Sequence, residues 1–266
     1  MGADQLDGKV AIVTGATQGL GEATARLFAR RGAAGLVICG RTEERGRHVA
    51  GEISASGCPT VFVRADVASV DDCGKVIDVA EDEFGRLDCL VNCAACTERG
   101  FVESTSQELW DRIFAVNVRG PFFLLQRAVR VMRSQRIEGT IVNVISVSSH
   151  GGAPYLIPYA ASKGALATLT RATANALLQD RIRVNGLNIG WMNTPGEDTT
   201  QKRYHDAPHD WLSRASERQP FGRLLEPEEV ARAIAFLGSN ESGMMTGSVV
   251  DFDQTVLGTT PDVARF

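Results

Sequence analysis

The chain has no block of basic residues, no long apolar run, no second CxxC pair and no repeat or low-complexity stretch. Each absence removes a class of function. Lys and Arg total 28 against 32 Asp and Glu, a formal net charge of -4, so a polyanion such as nucleic acid finds no concentrated patch. No apolar stretch approaches the roughly 18 residues a membrane-spanning helix needs. The polar opening, residues 1–8, leads straight into a strand pattern, so a secretory signal is not expected and the cytoplasm is the expected location. Cysteines number only six. Cys39, Cys58, Cys73 and Cys89 fall in or beside apolar segments, where a free thiol behaves as a small hydrophobe. Cys93 and Cys96 have the spacing of a redox or zinc pair. Zinc needs further ligands of matching geometry. A redox pair wants a helix N-terminus to lower a thiol pKa, whereas this pair ends a strand, so packing is the preferred reading.

What is present is an ordinary globular composition, 44% hydrophobic and 23% charged over 266 residues. That length can bury a large core. Apolar strand patterns fall at 9–14, 35–40, 60–64, 87–94, 139–145, 183–187 and 248–252. Helical patterns follow a turn at 15–19 and run to about 31, then cover 42–56, 69–84, 106–133 with a break near Gly120-Pro121, 158–178 and 227–237. The stretch 190–223 is less regular. Continuous apolar strands separated by helices predict a parallel sheet covered on both faces. The expected architecture is α/β, one doubly wound Rossmann-like domain over 1–266, with seven strands and an irregular lid near 190–223.

The first chemical motif is Thr14-Gly15-Ala16-Thr17-Gln18-Gly19-Leu20-Gly21. Its glycines are spaced more widely than GxGxxG, but the physical need is the same. A tight turn lets backbone approach a pyrophosphate, and helix N-terminal amides favour the anion. A plain glycine-rich helix cap is the bland alternative. Nucleotide choice rests on the second strand's end. There Gly40 offers no carboxylate, Arg41 can pair with a 2′-phosphate, and Thr42 adds a hydroxyl. Gln18 is neutral, while Glu43 and Glu44 lie close by and argue the other way. NADP(H) is the expected cofactor, with NAD possible.

Tyr159 and Lys163 are four residues apart in a predicted helix, so phenol and ammonium share a face. An adjacent cation favours the phenolate, which suits a tyrosine that must lose and regain a proton. With the glycine turn, this pairing reads as nicotinamide-dependent oxidoreduction.

These motifs resemble those of the short-chain dehydrogenase/reductase family over nearly the whole chain. The glycine turn matches from Thr14 to Gly21, Asp66 in Ala65-Asp66-Val67 matches the adenine-contacting acid, and Asn92-Cys93-Ala94-Ala95 matches a strand-end motif imperfectly. The catalytic set matches Asn117, Ser146, Tyr159 and Lys163, with 13 residues from Ser to Tyr. The resemblance implies a proton exchanged at Tyr159, a substrate oxygen held by Ser146, and a nicotinamide ribose held by Lys163. It implies that Asn117 positions a relay water and that Thr194 bonds the carboxamide. Helix-kink support for Asn117 and an ordinary strand-end role for Ser146 are the bland alternatives. Three departures stand out: Cys93 and Ala95 replace Asn and Gly, Ile189-Gly190 replaces Pro-Gly, and the segment after Asp251 lacks a glycine pair. Gly190 keeps a close approach possible.

Cofactor contacts are thus expected at residues 14, 15 and 17–21, Arg41, Thr42, Asp66, Val67, Asn92, Ala94, Tyr159, Lys163, Gly190 and Thr194. Substrate contacts are expected at Ser146, His150, Tyr159, Trp191 and Asn193, with Glu98, Arg99, Tyr204, His205, His209 and Trp211 nearby. Such polar donors and rings suit a sugar or polyol, with a small ketone or keto ester next. His205 and His209 imitate a metal pair, but without a third ligand a lid role is preferred and no metal is expected. The remaining alternatives are an NAD-linked sugar dehydrogenase and a non-catalytic nucleotide-binding regulator. By resemblance the chain is expected to form a homotetramer or homodimer; Phe114, Val118, Phe122, Leu166, Leu169 and Leu177 supply apolar helix surface, some of it needed to cover the sheet.

Overall fold

The computed structural model describes residues 6–257 and 259, so the first five residues of the polar opening and the last part of the predicted domain lie outside the described residues. Seven parallel strands form one sheet in the order β3-β2-β1-β4-β5-β6-β7. They are β1 Val10–Thr14, β2 Gly35–Gly40, β3 Thr60–Arg64, β4 Cys89–Asn92, β5 Thr140–Val144, β6 Arg183–Ile189 and β7 Val249–Phe252. The helices are α1 Gly19–Arg30, α2 Glu43–Ala55, α3 Val70–Phe84, α4 Gln107–Phe114, α5 Gly120–Gln135, α6 Ile157–Ala176, α7 Pro195–His205, α8 Trp211–Glu217 and α9 Pro227–Gly238. Chain order reverses between β1 and β4, and ligands of such sheets bind in the crevice at the strand C-termini there.

Strand periodicity explains the two layers. Ala11, Val13, Leu36 and Ile38 face one core with Phe28 of α1 and Val230 and Ile234 of α9. Ile12 and Val37 face the other, with Val76 and Ile77 of α3 and Leu124 and Ala128 of α5. Burial on both faces is why the strands read as unbroken apolar runs.

Three predicted spans changed. β4 is confined to Cys89–Asn92, two residues shorter than predicted at each end. The long helix 106–133 is interrupted by a π-turn at Ala115–Arg119, just before the predicted break. The irregular stretch holds α7 and α8. Thr194 caps α7, its Oγ1 accepting from the Glu197 N–H at 3.0 Å, and Pro195 occupies the first turn. Among the described residues no helix is long and apolar enough to cross a membrane.

Candidate active site

The glycine turn joins β1 to α1. Gly15 has φ +66, and a Cβ there would meet the Ala94 Cα at 2.8 Å. Gly21 lies so close to the Gly15 carbonyl that any side chain would overlap it. Thr14 fastens the turn to the end of β4, its Oγ1 accepting from the Cys93 and Ala94 N–H groups at 3.0 and 3.1 Å. Its side chain is therefore spent on the fold. Gln18 precedes α1 with no side-chain cap, which leaves the first-turn amides to an anion. Gly19 faces the Thr194 side chain, so α7 starts against this turn. A dinucleotide's pyrophosphate fits this donor set.

At the end of β2, Arg41 is exposed and Thr42 precedes α2. Sequence reasoning missed Arg45, one turn into α2. Its guanidinium donates to Gln18 Oε1 at 2.7 Å and to Thr42 Oγ1 at 3.0 Å, spanning the two expected contacts. The opposing Glu43 is paired with Arg47 at 2.7 Å. A cation three residues after the strand-end threonine was the available signal. Asp66, half-buried, accepts from the Ala68 N–H at 3.0 Å, and Val67 is buried beside Gly120.

The catalytic candidates converge at the end of β5 and the start of α6. Ser146 follows β5, with Oγ accepting from the Ser148 N–H at 3.2 Å. Tyr159 lies in the first turn of α6, and Lys163 one turn later is buried, donating from Nζ to the Val144 carbonyl at 2.8 Å. Lys163 Nζ sits 5.7 Å from the centroid of the Tyr159 ring. Burial pushes the Tyr159 phenol up to about 12, while hydrogen bonding with Ser146 and the Arg99 charge pull it back only in part. In the chain by itself, desolvation dominates, and the Lys163 ammonium is bound to the Val144 carbonyl.

Asn117 lies on the π-turn, fully buried. Its Nδ2 donates to the Cys96 carbonyl at 3.0 Å and to Ser162 Oγ at 2.9 Å, and its Oδ1 accepts from the Cys96 N–H at 2.8 Å. The amide thus stitches the loop after β4 to α6. A π-turn of this kind is common at functional sites. Asn92 is also turned inward, donating to Asn143 Oδ1 at 2.8 Å.

The substrate-side residues divide. Trp191 donates from Nε1 to Glu197 Oε1 at 2.8 Å, and its ring stacks on Trp211 at 6.1 Å. His150 is drawn to the sheet edge, 3.2 Å from Asp251 Oδ1. Asn193 donates to Glu226 Oε1 at 3.2 Å, anchoring the segment to the start of α9. Gly190 lies against the Asp253 carboxylate, so the contact that excludes a side chain there is internal. His205 ends α7 and meets Arg99 rather than pairing with His209. Tyr155 and Glu197, which sequence reasoning missed, complete this wall. Cys93 and Cys96 are free thiols, and burial raises both pKa values, Cys93 to about 12, which suits packing rather than redox chemistry.

Burial also lowers Lys163 from 10.5 to about 8. The charged folded form is disfavoured below about 8, and that penalty is relieved as pH rises from about 8 towards the unfolded value. Wild-type stability should therefore gain about 3 kcal/mol over that window relative to Lys163→Met. Above about 10 the raised Tyr159 pKa acts oppositely, because the unfolded tyrosine ionises first. Urea denaturation of both proteins across that pH range checks this, and a constant difference would contradict it.

The chain matches, over residues 15–255, the family described as Enoyl-(Acyl carrier protein) reductase. A relative from Thermotoga maritima named an uncharacterized oxidoreductase is 39% identical, covering 93% of this chain and 97% of its own. The cis-4-hydroxycyclohexanecarboxylate dehydrogenase of Sinomonas cyclohexanicum is 37% identical, over 92% of this chain and 95% of its own. A cyclopentanol dehydrogenase of a Comamonas species is 35% identical, over 94% and 97%. The solved structure of a short chain dehydrogenase/reductase family protein matches with a TM-score of 0.80 and 33% identity, over 94% of this chain and 97% of that one.

Proposed function

The chain belongs to the short-chain dehydrogenase/reductase family, and we propose that this oxidoreductase interconverts a secondary alcohol and a carbonyl with NADP(H) preferred over NAD. The observation that carries the reading is the meeting of Ser146, Tyr159 and Lys163 at the end of β5, beside a helix start whose amides are open to a pyrophosphate. The nicotinamide supplies or takes the hydride. Ser146 holds the reacting oxygen and stabilises its developing charge. Tyr159 gives that oxygen a proton in reduction and takes one in oxidation. Lys163 holds the nicotinamide ribose and so fixes the approach of the reactants. Asn117 keeps the loop after β4 in register with α6.

Arg45, Arg41 and Thr42 support the phosphate-bearing nucleotide, since Glu43 is already neutralised by Arg47. Relatives named for cyclopentanol and for cis-4-hydroxycyclohexanecarboxylate support a secondary alcohol as the reacting group. The polar wall of Trp191, Glu197, Arg99 and His205 supports a hydroxylated substrate, a sugar or polyol before a plain ketone. In this reading one catalytic domain spans the chain and 190–223 covers the substrate. A panel of sugars, polyols, cyclic alcohols and small ketones, followed by nicotinamide absorbance with both cofactors, tests it. Turnover should be found with NADP(H) at the higher kcat/KM. No turnover with any alcohol or carbonyl, despite tight nucleotide binding, would favour a nucleotide-binding regulator.

A homotetramer or homodimer fits a groove lined by Phe114, Ala115, Val118, Phe122 and Leu169 together with Asp111 and Arg119. Phe122 is 36% exposed there. Phe122→Asp should shift the protein to a smaller species in light scattering. A wild-type protein monomeric at every concentration would contradict the assembly.

A further inference from the structure

Three segments distant in sequence meet beside the first turn of α6. The loop after β4 brings Arg99, the turn before α6 brings Tyr155, and α7 brings Glu197 and His205. A short bridge ties the first two, with the Gly100 N–H donating to the Tyr155 carbonyl at 2.9 Å and the Ile157 N–H to the Gly100 carbonyl at 3.3 Å. Tyr159 is four residues beyond Tyr155, in the helix this bridge abuts.

Arg99 is the charged centre of this cluster, with its side chain only 10% exposed. Nε donates to His205 Nε2 at 3.2 Å and Nη1 to the Thr97 carbonyl at 3.0 Å. The guanidinium lies 5.4 Å from the centroid of the Tyr155 ring, which packs edge-on against His205 at 4.8 Å. An imidazole that accepts this bond must be neutral, and burial with the Arg99 charge holds His205 below its ordinary pKa. The fork is thus held on two sides.

The third side faces the Glu197 carboxylate without a hydrogen bond. Nη2 stands 3.8 Å from Glu197 Oε1, too far for a hydrogen bond. That oxygen already accepts from Trp191 Nε1 at 2.8 Å and Gln201 Nε2 at 2.6 Å. Among the described residues Nη2 has no hydrogen-bond partner. Nη2 therefore keeps donors beyond its loose ion pair with Glu197. The same planar fork is matched to a carboxylate. The Gly100 bridge ties the Arg99 loop to Ile157, two residues before Tyr159, which sets the cluster beside the helix turn that carries the reacting phenol.

We propose that the substrate is a hydroxylated carboxylate, whose acid group is received by Arg99 Nη2 while its reacting oxygen lies at Ser146 and Tyr159. Arg99 is then the specificity-determining residue, His205 and Tyr155 hold its orientation, and Glu197 positions the Trp191 ring. The assignment rests on the alcohol–carbonyl reaction proposed above.

The probes are 4-hydroxycyclohexanecarboxylate and its methyl ester for turnover. Cyclohexanecarboxylate and its amide serve for binding to the cofactor-saturated protein by calorimetry. Wild type should prefer acid to ester, and carboxylate to amide, by about 10- to 100-fold. Arg99→Met should erase that ratio, chiefly through KM for the acid, and Arg99→Lys should restore part of it. A wild-type protein that binds the carboxylate no better than the amide overturns the proposal. So does an Arg99→Met protein that slows acid and ester equally, the signature of a structural role. Tyr159→Phe separates the two failures: turnover that needs Tyr159 but ignores Arg99 leaves the reaction standing and removes the carboxylate, whereas turnover indifferent to Tyr159 removes both. The binding arm on wild type decides even where a variant does not fold.

Discussion

Tyr159→Phe should lower kcat by about a thousandfold, in both directions, while NADPH still binds. The substitution removes one oxygen and leaves the ring, so packing around α6 is preserved. In the proposed mechanism what is lost is the group that exchanges a proton with the reacting oxygen. The pH signature is specific. Burial holds the phenol near 12 in this structure, so alcohol oxidation by wild type should accelerate with rising pH as phenolate becomes accessible. The residual rate of the variant should lack that dependence. Stopped-flow kinetics across pH, with a fluorescence titration of nucleotide binding, measures both. Retained turnover in the variant would remove Tyr159 from the chemistry.

Charge reversal at the nucleotide end should have the second largest effect. Arg45→Glu is expected to raise the NADPH Kd by about 10- to 100-fold and to change the NADH Kd far less. Arg45 already spans Gln18 and Thr42, so a 2′-phosphate at the end of β2 would find a guanidinium held in place. Glu43 cannot oppose it, being paired with Arg47. Arg41→Glu should act in the same direction and more weakly, because Arg41 is exposed. Calorimetric titration with both nucleotides reads the ratio directly. Equal losses for both would assign Arg45 to the fold rather than to the phosphate.

The sheet was legible because buried parallel strands leave a continuous apolar signature, and Val10, Ala11, Ile12 and Val13 of β1 carry it. The glycine turn and the Tyr159–Lys163 pair were legible for a different reason, since spacing alone fixes a turn and a helical face. The helix α7 was hidden because its sequence, from Pro195 to His205, has no apolar stripe and buries only Thr200. The π-turn at Ala115–Arg119 was read only as a break near Gly120, since an extra residue in a helical turn leaves no mark in composition.

Long-range pairing was the least readable property. Asn193 and His150 have the chemistry of substrate contacts, yet Glu226 and Asp251 claim them from distant elements. Arg45 needed the opposite insight, that α2 lays its first turn over the glycine loop. The phenol's pKa also depends on what surrounds it. An i,i+4 ammonium suggests acidification, but desolvation by the folded chain outweighs it and Lys163 turns to Val144.

A crystal structure of the ternary complex, with nucleotide and a slowly reacting alcohol, tests the central claim most directly. The account predicts the substrate oxygen within hydrogen-bonding distance of both the Tyr159 and Ser146 hydroxyls, with its carbon facing the nicotinamide. An oxygen held by other groups, with the Tyr159 hydroxyl beyond contact in every copy, would contradict it.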